Sequence, residues 1–397
     1  MLRVRRGERI PPPRAVVFPS STEEVASVLA WAVETGTAVV PRGGGSGLAG
    51  GAQSVRRGIV MDLSRMNRVL SVDDVSLAAH VEAGVRGDHL EQELARRRLT
   101  LGHHLPSLAI STVGGWIAGH SAGLASAGYG AIEDVLLGLT AAMSTGEVME
   151  LRPTPRSAAG PDLRRLFVGS EGTLGVITGA VLSVSPMPEG LRWAAFRPSG
   201  FEEGMSLARA VAQRGLRPLV VALHDEAEAV LMLSEAGHDR GPVLLLGFDQ
   251  GSVLLRETMQ AIELEASFHD ARTLSPTLGA HWWQHRDRAV DAYRRAMGPD
   301  RALGEGAVMD GMEVAGLWRG LPGLYRSVRE AIAGHAESVG CRLSHPHRSG
   351  ADLSFTFVLR APDDVAAEER YLQCWRDVAA ASHGAGGTIT HHRGVGL

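Results

Sequence analysis

Residues 40–51, VPRGGGSGLAGG, put a glycine-dense loop directly behind an apolar run. Consecutive glycines free backbone N–H groups from Cβ crowding and let the chain take φ > 0, so the amides can converge on an anion. Three readings compete with a plain surface turn. A dinucleotide fingerprint needs its glycines to open a helix whose N-terminus holds the pyrophosphate, yet the next residues, AQSVRRGIVMDL, lead to a strand. A P-loop needs Gly-Lys-Ser/Thr, and all 40 basic residues of this chain are arginine. The third is an amide nest, and two more small-residue clusters support it: PSLAISTVGGWIAGHSAG (106–123) and GPDLRRLFVGSEGTLGVIT (160–178). Several glycine-lined segments in one region suit a long, flat, doubly phosphorylated ligand, which describes a dinucleotide.

The elements that must position these loops are legible around them. Residues 21–36, STEEVASVLAWAVETG, carry a Ser/Thr cap, acids in the first turn, apolar residues at helical spacing and a terminal glycine, which predicts a helix. Flanked by AVVFPS and TAVVPRG, it makes a βαβ unit. The runs GIVMDLS, RVLSV and LAAHVEAGV read as strands, GDHLEQELARRRL as a helix, and VLLGLTAAMSTGEVMEL as a strand pair turning at Thr145-Gly146. GTLGVITGAVLSVSPMP is a further strand, and the domain closes near residue 188. Beyond it strand and helix alternate, with GADLSFTFVLR a strand and DDVAAEERYLQCWRDVAAASHG a helix. The predicted fold is α+β in two domains, residues 1–188 and 189–397, the second an antiparallel sheet with helices on one side.

Composition bounds the function. At 397 residues the chain is long enough for two cores, and 44% hydrophobic with 21% charged residues is a globular balance. A net charge of -4 gives no footprint for nucleic acid. Without lysine there is no Schiff-base chemistry. Cys341 and Cys374 cannot build a disulfide framework or a cysteine-rich metal site. No apolar run reaches the ~18 residues of a membrane span, so no integral membrane segment and a cytoplasmic location are expected. The partner expected is a small-molecule substrate, with a homodimer left open.

PRGGGSGLAGG, STVGGWIAGHSAG, YGAIEDVLLGL and GSEGTLGVIT together resemble the FAD-linked oxidase family with the vanillyl-alcohol-oxidase type flavin domain, over residues 15 to about 188. The resemblance implies that Pro41, Arg42, Gly43, Gly44, Gly45, Ser46 and Gly47 cradle the FAD pyrophosphate. It implies that Pro106, Ser107, Ser111, Thr112, Gly114, Gly115, Gly119, His120, Ser121 and Ala122 line the diphosphate and isoalloxazine. Glu171, Gly172, Thr173, Gly175, Val176 and Ile177 would hold the adenine end and the flavin edge through backbone groups. The first loop carries no histidine, so the FAD is expected to be non-covalent. The fold implied is a two-subdomain FAD-binding domain plus an α+β cap.

The half from 190 onward resembles the family's C-terminal cap, and motifs along the whole chain are similar to two branches of that family. GHHLPSLAISTVGGW, AYRRA and THHRGVG resemble alkyl-dihydroxyacetonephosphate synthases, whereas PRGGGSGLAGG and GIVMDLSRMNRVL are equally at home in D-lactate and glycolate dehydrogenases. Either branch implies substrate chemistry at the flavin, with His391 or His392 as base and Arg295 as an anion clamp. YRRAMGPDR also reads as an exposed basic helix, and His103 and His104 also read as solvated. Three departures stand out. Ser354 occupies the place of the synthase tyrosine. In the dehydrogenase metal site, His347 matches the first histidine, but Ser354 replaces the second and His392 the glutamate, so no metal site is expected. Relatives continue past the HHRGVG loop with a helix and a tail, so the C-terminal tail is expected to be missing. The function expected is hydride transfer from a small hydroxy acid or alcohol to FAD. The alternatives are a synthase-like transferase and a flavin binder with a decayed catalytic site.

Overall fold

The computed structural model describes residues 2–8, 12–298 and 301–396. Mutual contacts divide the chain into two units. One holds the residues from 12 to 187 together with 392–396; the other holds 2–8 together with 188–391.

In the amino-terminal unit, β1 (Ala15–Val17), α1 (Thr22–Glu34) and β2 (Val39–Arg42) form the expected strand–helix–strand. Ser21 caps α1, its hydroxyl accepting the Glu24 N–H, and the helix buries Val25, Ala26, Leu29 and Ala32. The two strands are not neighbours, however: β3 (Ile59–Asp62) inserts between them, parallel to both. A second, antiparallel sheet runs in the order β4 (Val69–Asp73), β5 (Ala78–Glu82), β8 (Gly175–Ser183), β6 (Leu136–Met143), β7 (Val148–Leu151). Between β5 and β6 lie α2 (Gly87–Ala95) and the short α3 (Val113–Ala118). One core joins these pieces, from Val25 and Met61 through Leu90, Ile117 and Ile132 to Leu182.

The carboxy-terminal unit is built on seven antiparallel strands. They are β9 (Leu191–Arg197), β10 (Val220–His224), β11 (Val243–Asp249), β12 (Arg272–Leu274), β13 (Ala307–Leu317), β14 (Ser338–Leu343) and β15 (Gly350–Arg360), in spatial order β12-β9-β11-β10-β14-β15-β13. Helices cover both faces, not one as expected. On the first face, α4 (Phe201–Gln213) packs Gly204 against Leu223, and α9 (Leu321–Ala333) stacks Tyr325 on Phe355. On the other, α7 (Thr277–Gln284) sets Trp282 against Trp193 and His224. The long α10 (Asp364–Gly384) is capped by Asp363, which accepts the Val365 and Ala366 N–H groups. Residues 2–8 are held here by Arg5, whose buried guanidinium donates to Asp364 at 2.9 Å. Both cysteines are buried and unbonded, and burial beside Asp225 and Glu228 pushes the Cys341 thiol far up. No described helix is long and apolar enough to cross a membrane.

Candidate functional site

β2 delivers Pro41 and Arg42 to the glycine loop. The backbone N–H groups of Gly43, Gly44, Gly45, Ser46 and Gly47 donate to no group among the described residues. Backbone donors within a fold almost always find an acceptor, and five in succession form an arrangement that an anion completes. Arg42 adds charge: its guanidinium lies so close over Gly45 (φ +63°) that a Cβ there would meet Nη2 at 2.9 Å.

The three glycine-bearing segments meet in space. A Cβ on Gly43 would sit 2.1 Å from Thr112 Oγ1, one on Gly44 1.6 Å from the Ile110 carbonyl oxygen, and one on Gly172 2.8 Å from Pro41 Cγ. Gly43 and Gly44 therefore lack side chains because the 110–112 segment presses on them, as well as to free their amides. Gly47 has open space.

Other expected cofactor residues are part of the scaffold. The Ser107 carbonyl, next to Pro106, closes a turn by accepting from the Ile110 and Ser111 N–H groups. Ser111 and Thr112 are buried; Ser111 Oγ accepts from Trp116 Nε1 at 2.8 Å, and Thr112 caps α3, accepting from Gly115. Gly114 packs on Ala83 and Gly119 on the Gly115 carbonyl, while Ala122 is buried. His103 is buried rather than solvated, 2.7 Å from Ser121 Oγ and tilted against Trp116. His120 Nε2 lies 3.2 Å from Glu133 Oε1, and this hydrogen bond raises the imidazole pKa despite partial burial. Thr173 Oγ1 donates to the Ser170 carbonyl, and Gly175, Val176 and Ile177 enter β8 as buried sheet residues. The Glu171 carboxylate accepts the N–H groups of Val395 (2.6 Å) and Gly396 (2.9 Å), tying that loop to residues 395–396.

In the carboxy-terminal unit a second constellation forms on β15. GADLSFTFVLR alternates strictly: Leu353, Phe355 and Phe357 face one way, Asp352, Ser354 and Thr356 the other. That second face is not solvated, since Asp352 is 0% and Ser354 7% exposed. The Asp352 carboxylate accepts the Ser344 N–H (3.1 Å), the His345 N–H (2.7 Å) and the Ser354 hydroxyl (3.1 Å). His345 Nδ1 lies 3.2 Å from the same carboxylate. A carboxylate only accepts, so Nδ1 carries the proton and Nε2 becomes the ring's acceptor. The His391 ring lies 5.3 Å from that of His345 and 6.0 Å from that of His347. One ligand-capable atom from each of His345, Asp352 and His391 falls within 4.8 Å of the others.

The sequence anticipated His391 and missed Asp352 and His345; the polar alternation along β15 was the available signal. His392, the next residue, is half-buried. Of the positions compared with the dehydrogenase metal site, His347 is exposed and the Ser354 hydroxyl donates to Asp352. Arg295 lies on an exposed face of α8 (Arg288–Met297), with no side-chain hydrogen bond or ion pair among the described residues, so nothing ties it to the histidines.

Comparison with known proteins places this geometry. Residues 13–152 match an FAD binding domain, and residues 187–397 match the C-terminal domain of FAD linked oxidases. The chain is 29% identical, over 99% of its length and 68% of the relative's, to an alkyldihydroxyacetonephosphate synthase of Trypanosoma brucei brucei. It is 26% identical, over 97% of its length and 81% of the relative's, to a glycolate oxidase subunit of Bacillus subtilis. A solved alkyldihydroxyacetonephosphate synthase superposes with a TM-score of 0.79 at 25% identity, covering 94% of this chain and 72% of that one. Its cofactor is FAD, and the chain belongs to the FAD-linked oxidase family.

Proposed function

We propose that this protein oxidises a small hydroxy acid or alcohol, with the amino-terminal unit holding FAD non-covalently and the carboxy-terminal unit supplying the base. The observation that carries this reading is the buried Asp352–His345 pair with the His391 ring against it. FAD, when bound, would supply the hydride acceptor. His391 takes the hydroxyl proton as the C–H bond breaks, leaving a carbonyl product. Asp352 accepts from His345 Nδ1, which fixes that ring's tautomer and orientation.

The cradle fits the cofactor. Five successive amide donors beside the Arg42 guanidinium suit a pyrophosphate, and the pressed glycines leave no room for side chains there. The base set contains nothing that requires a metal, although two imidazoles and a carboxylate are also a ligand set for zinc.

Anaerobic mixing of the FAD-loaded protein with a panel of 2-hydroxy acids tests the reading: loss of the oxidised-flavin band is expected with at least one of them. A rate that falls after EDTA dialysis and returns with Zn²⁺ would give the cluster to a cation. The second reading, exchange of an acyl for an alkyl group on a phosphorylated ketone, is favoured by the full-length similarity to the synthases. It requires alkyl product without net bleaching. Silence with every substrate would favour a flavin binder that has lost its chemistry.

A further inference from the structure

The glycine loop continues past the cradle of residues 41–47 as Leu48-Ala49-Gly50-Gly51, and this stretch receives another part of the chain. A Cβ on Gly396 would fall 1.9 Å from the Ala49 carbonyl oxygen, and one on Gly51 would fall 3.0 Å from Glu171 Oε2 and 3.8 Å from Gly396 Cα. A Cβ on Gly394 would meet Glu171 Oε1 at 2.9 Å. Residues 49–51, Glu171 and residues 394–396 thus form a three-way joint, so close at Gly396 that only bare backbone fits. The joint lies wholly within the amino-terminal unit, to which residues 392–396 belong.

Glu171 is the centre of the joint. Its N–H donates to the Ala118 carbonyl at 3.0 Å, beside the Gly169 N–H on the Ile117 carbonyl at 3.0 Å, so its backbone is stitched to the last turn of α3. The two carboxylate oxygens then divide the work: Oε1 accepts the Val395 N–H at 2.6 Å and Oε2 the Gly396 N–H at 2.9 Å. Hydrogen bonds to a charged acceptor are the stronger kind. Backbone conformation points the same way. Glu171 has φ +48°, in the left-handed region, whereas the other left-handed positions of this loop, Gly169 and Gly172, are glycine. Glycine would sit at 171 without strain, and what a glutamate adds there is its side chain.

The joint holds the segment that carries the histidines. His391 and His392 lie just before Gly394 in HHRGVG, and a Gly-Val-Gly stretch has too much backbone freedom to fix them by itself. Misplacing a reacting group by about 1 Å can cost about 100-fold in rate.

We infer that Glu171 is a positioning residue for the base: by seating residues 394–396 on residues 49–51, its carboxylate sets where the His391–His392 pair is held. This inference rests on the proposed function, in which His391 takes the substrate proton, and adds the group that holds that histidine's segment in place.

The test compares FAD-loaded wild type with Glu171→Ala, Glu171→Gln and Gly396→Ala. Hydrogen–deuterium exchange of the peptide covering residues 388–396 reads the seat, and single-turnover flavin reduction by the best 2-hydroxy acid reads the base. Glu171→Ala and Gly396→Ala should each speed that exchange by about tenfold or more. Both should slow reduction by about tenfold or more, with FAD content and the substrate concentration for half-maximal rate little changed. Glu171→Gln keeps an oxygen for one of the two amides and should fall between wild type and Glu171→Ala in both readings. Wild-type exchange in a folded Glu171→Ala overturns the seat. Wild-type reduction despite fast exchange, or a slowing matched by loss of FAD, overturns the positioning role. If Glu171→Ala does not fold, Gly396→Ala decides alone by the same readings. If no hydroxy acid reduces the wild-type flavin, the oxidation reading fails, while exchange still decides whether Glu171 seats the histidine segment.

Discussion

The glycine loops of the amino-terminal unit and the polar sheet face of the carboxy-terminal unit offer chemistry in opposite ways. The loops present main-chain amides, and their side chains are absent or committed to packing: Gly43 and Gly44 are pressed by residues 110–112, while Ser111 and Thr112 serve Trp116 and α3. The sheet face presents side chains, with its backbone consumed by strand pairing. A cradle made of backbone fails when volume is added, whereas a cluster of side chains fails when one hydrogen bond or one charge is removed. The two regions can therefore be broken separately.

The largest effect is expected at Gly44. A Cβ would fall 1.6 Å from a backbone oxygen, and overpacking of this kind costs about 2–3 kcal/mol. Gly44→Ala should yield protein with little bound FAD, read from its visible spectrum and melting temperature. Gly47→Ala, which meets nothing within 4 Å, should load FAD as the wild type does. Equal loading by both variants would break the distinction between pressed and open glycines.

A smaller effect is expected at Ser354. Ser354→Ala removes one donor from a buried carboxylate, at a cost of about 2 kcal/mol. Thermal melts should shift down with FAD content unchanged. If FAD content falls in parallel, the two regions are not separable as described.

The smallest effect concerns His120 and Glu133. Their hydrogen bond raises the histidine pKa from 6.5; for Glu133, burial acts upward but hydrogen bonding wins, and the pKa falls below 4.5. The histidine contribution is complete below about 6.5 and is lost as pH rises through the raised value; the glutamate contribution is complete above about 4.5 and is lost as pH falls through the lowered one. With the His120 side chain 46% exposed, screening leaves about 0.5 kcal/mol or less. The melting difference between wild type and Glu133→Gln should be present near pH 5.5 and absent near pH 9. A difference that grows with pH would reverse the assignment.

What the sequence disclosed follows from where each signal resides. The helix at 22–34 carries its cap, acids and apolar spacing within one short stretch, and the loops carry their glycines in plain view. Strand partners are not written locally. Nothing in AVVFPS or TAVVPRG says that β3 will come between them, and nothing in GADLSFTFVLR says that its polar face will be covered. Alternation ordinarily means one wet face; here it marks the buried row from which Asp352 was missed. Arg295 stands out only by resemblance, while the polar row emerges only once β10, β14 and β15 are in register.

The division of labour is tested most directly by the rate of flavin reduction in a single anaerobic turnover of Asp352→Asn, fully loaded with FAD and mixed with the best substrate of the wild type. Losing the charge that orients His345 should slow reduction by about 100-fold or more, with the FAD dissociation constant unchanged. Reduction at the wild-type rate, or a slowing matched by loss of FAD, would contradict it.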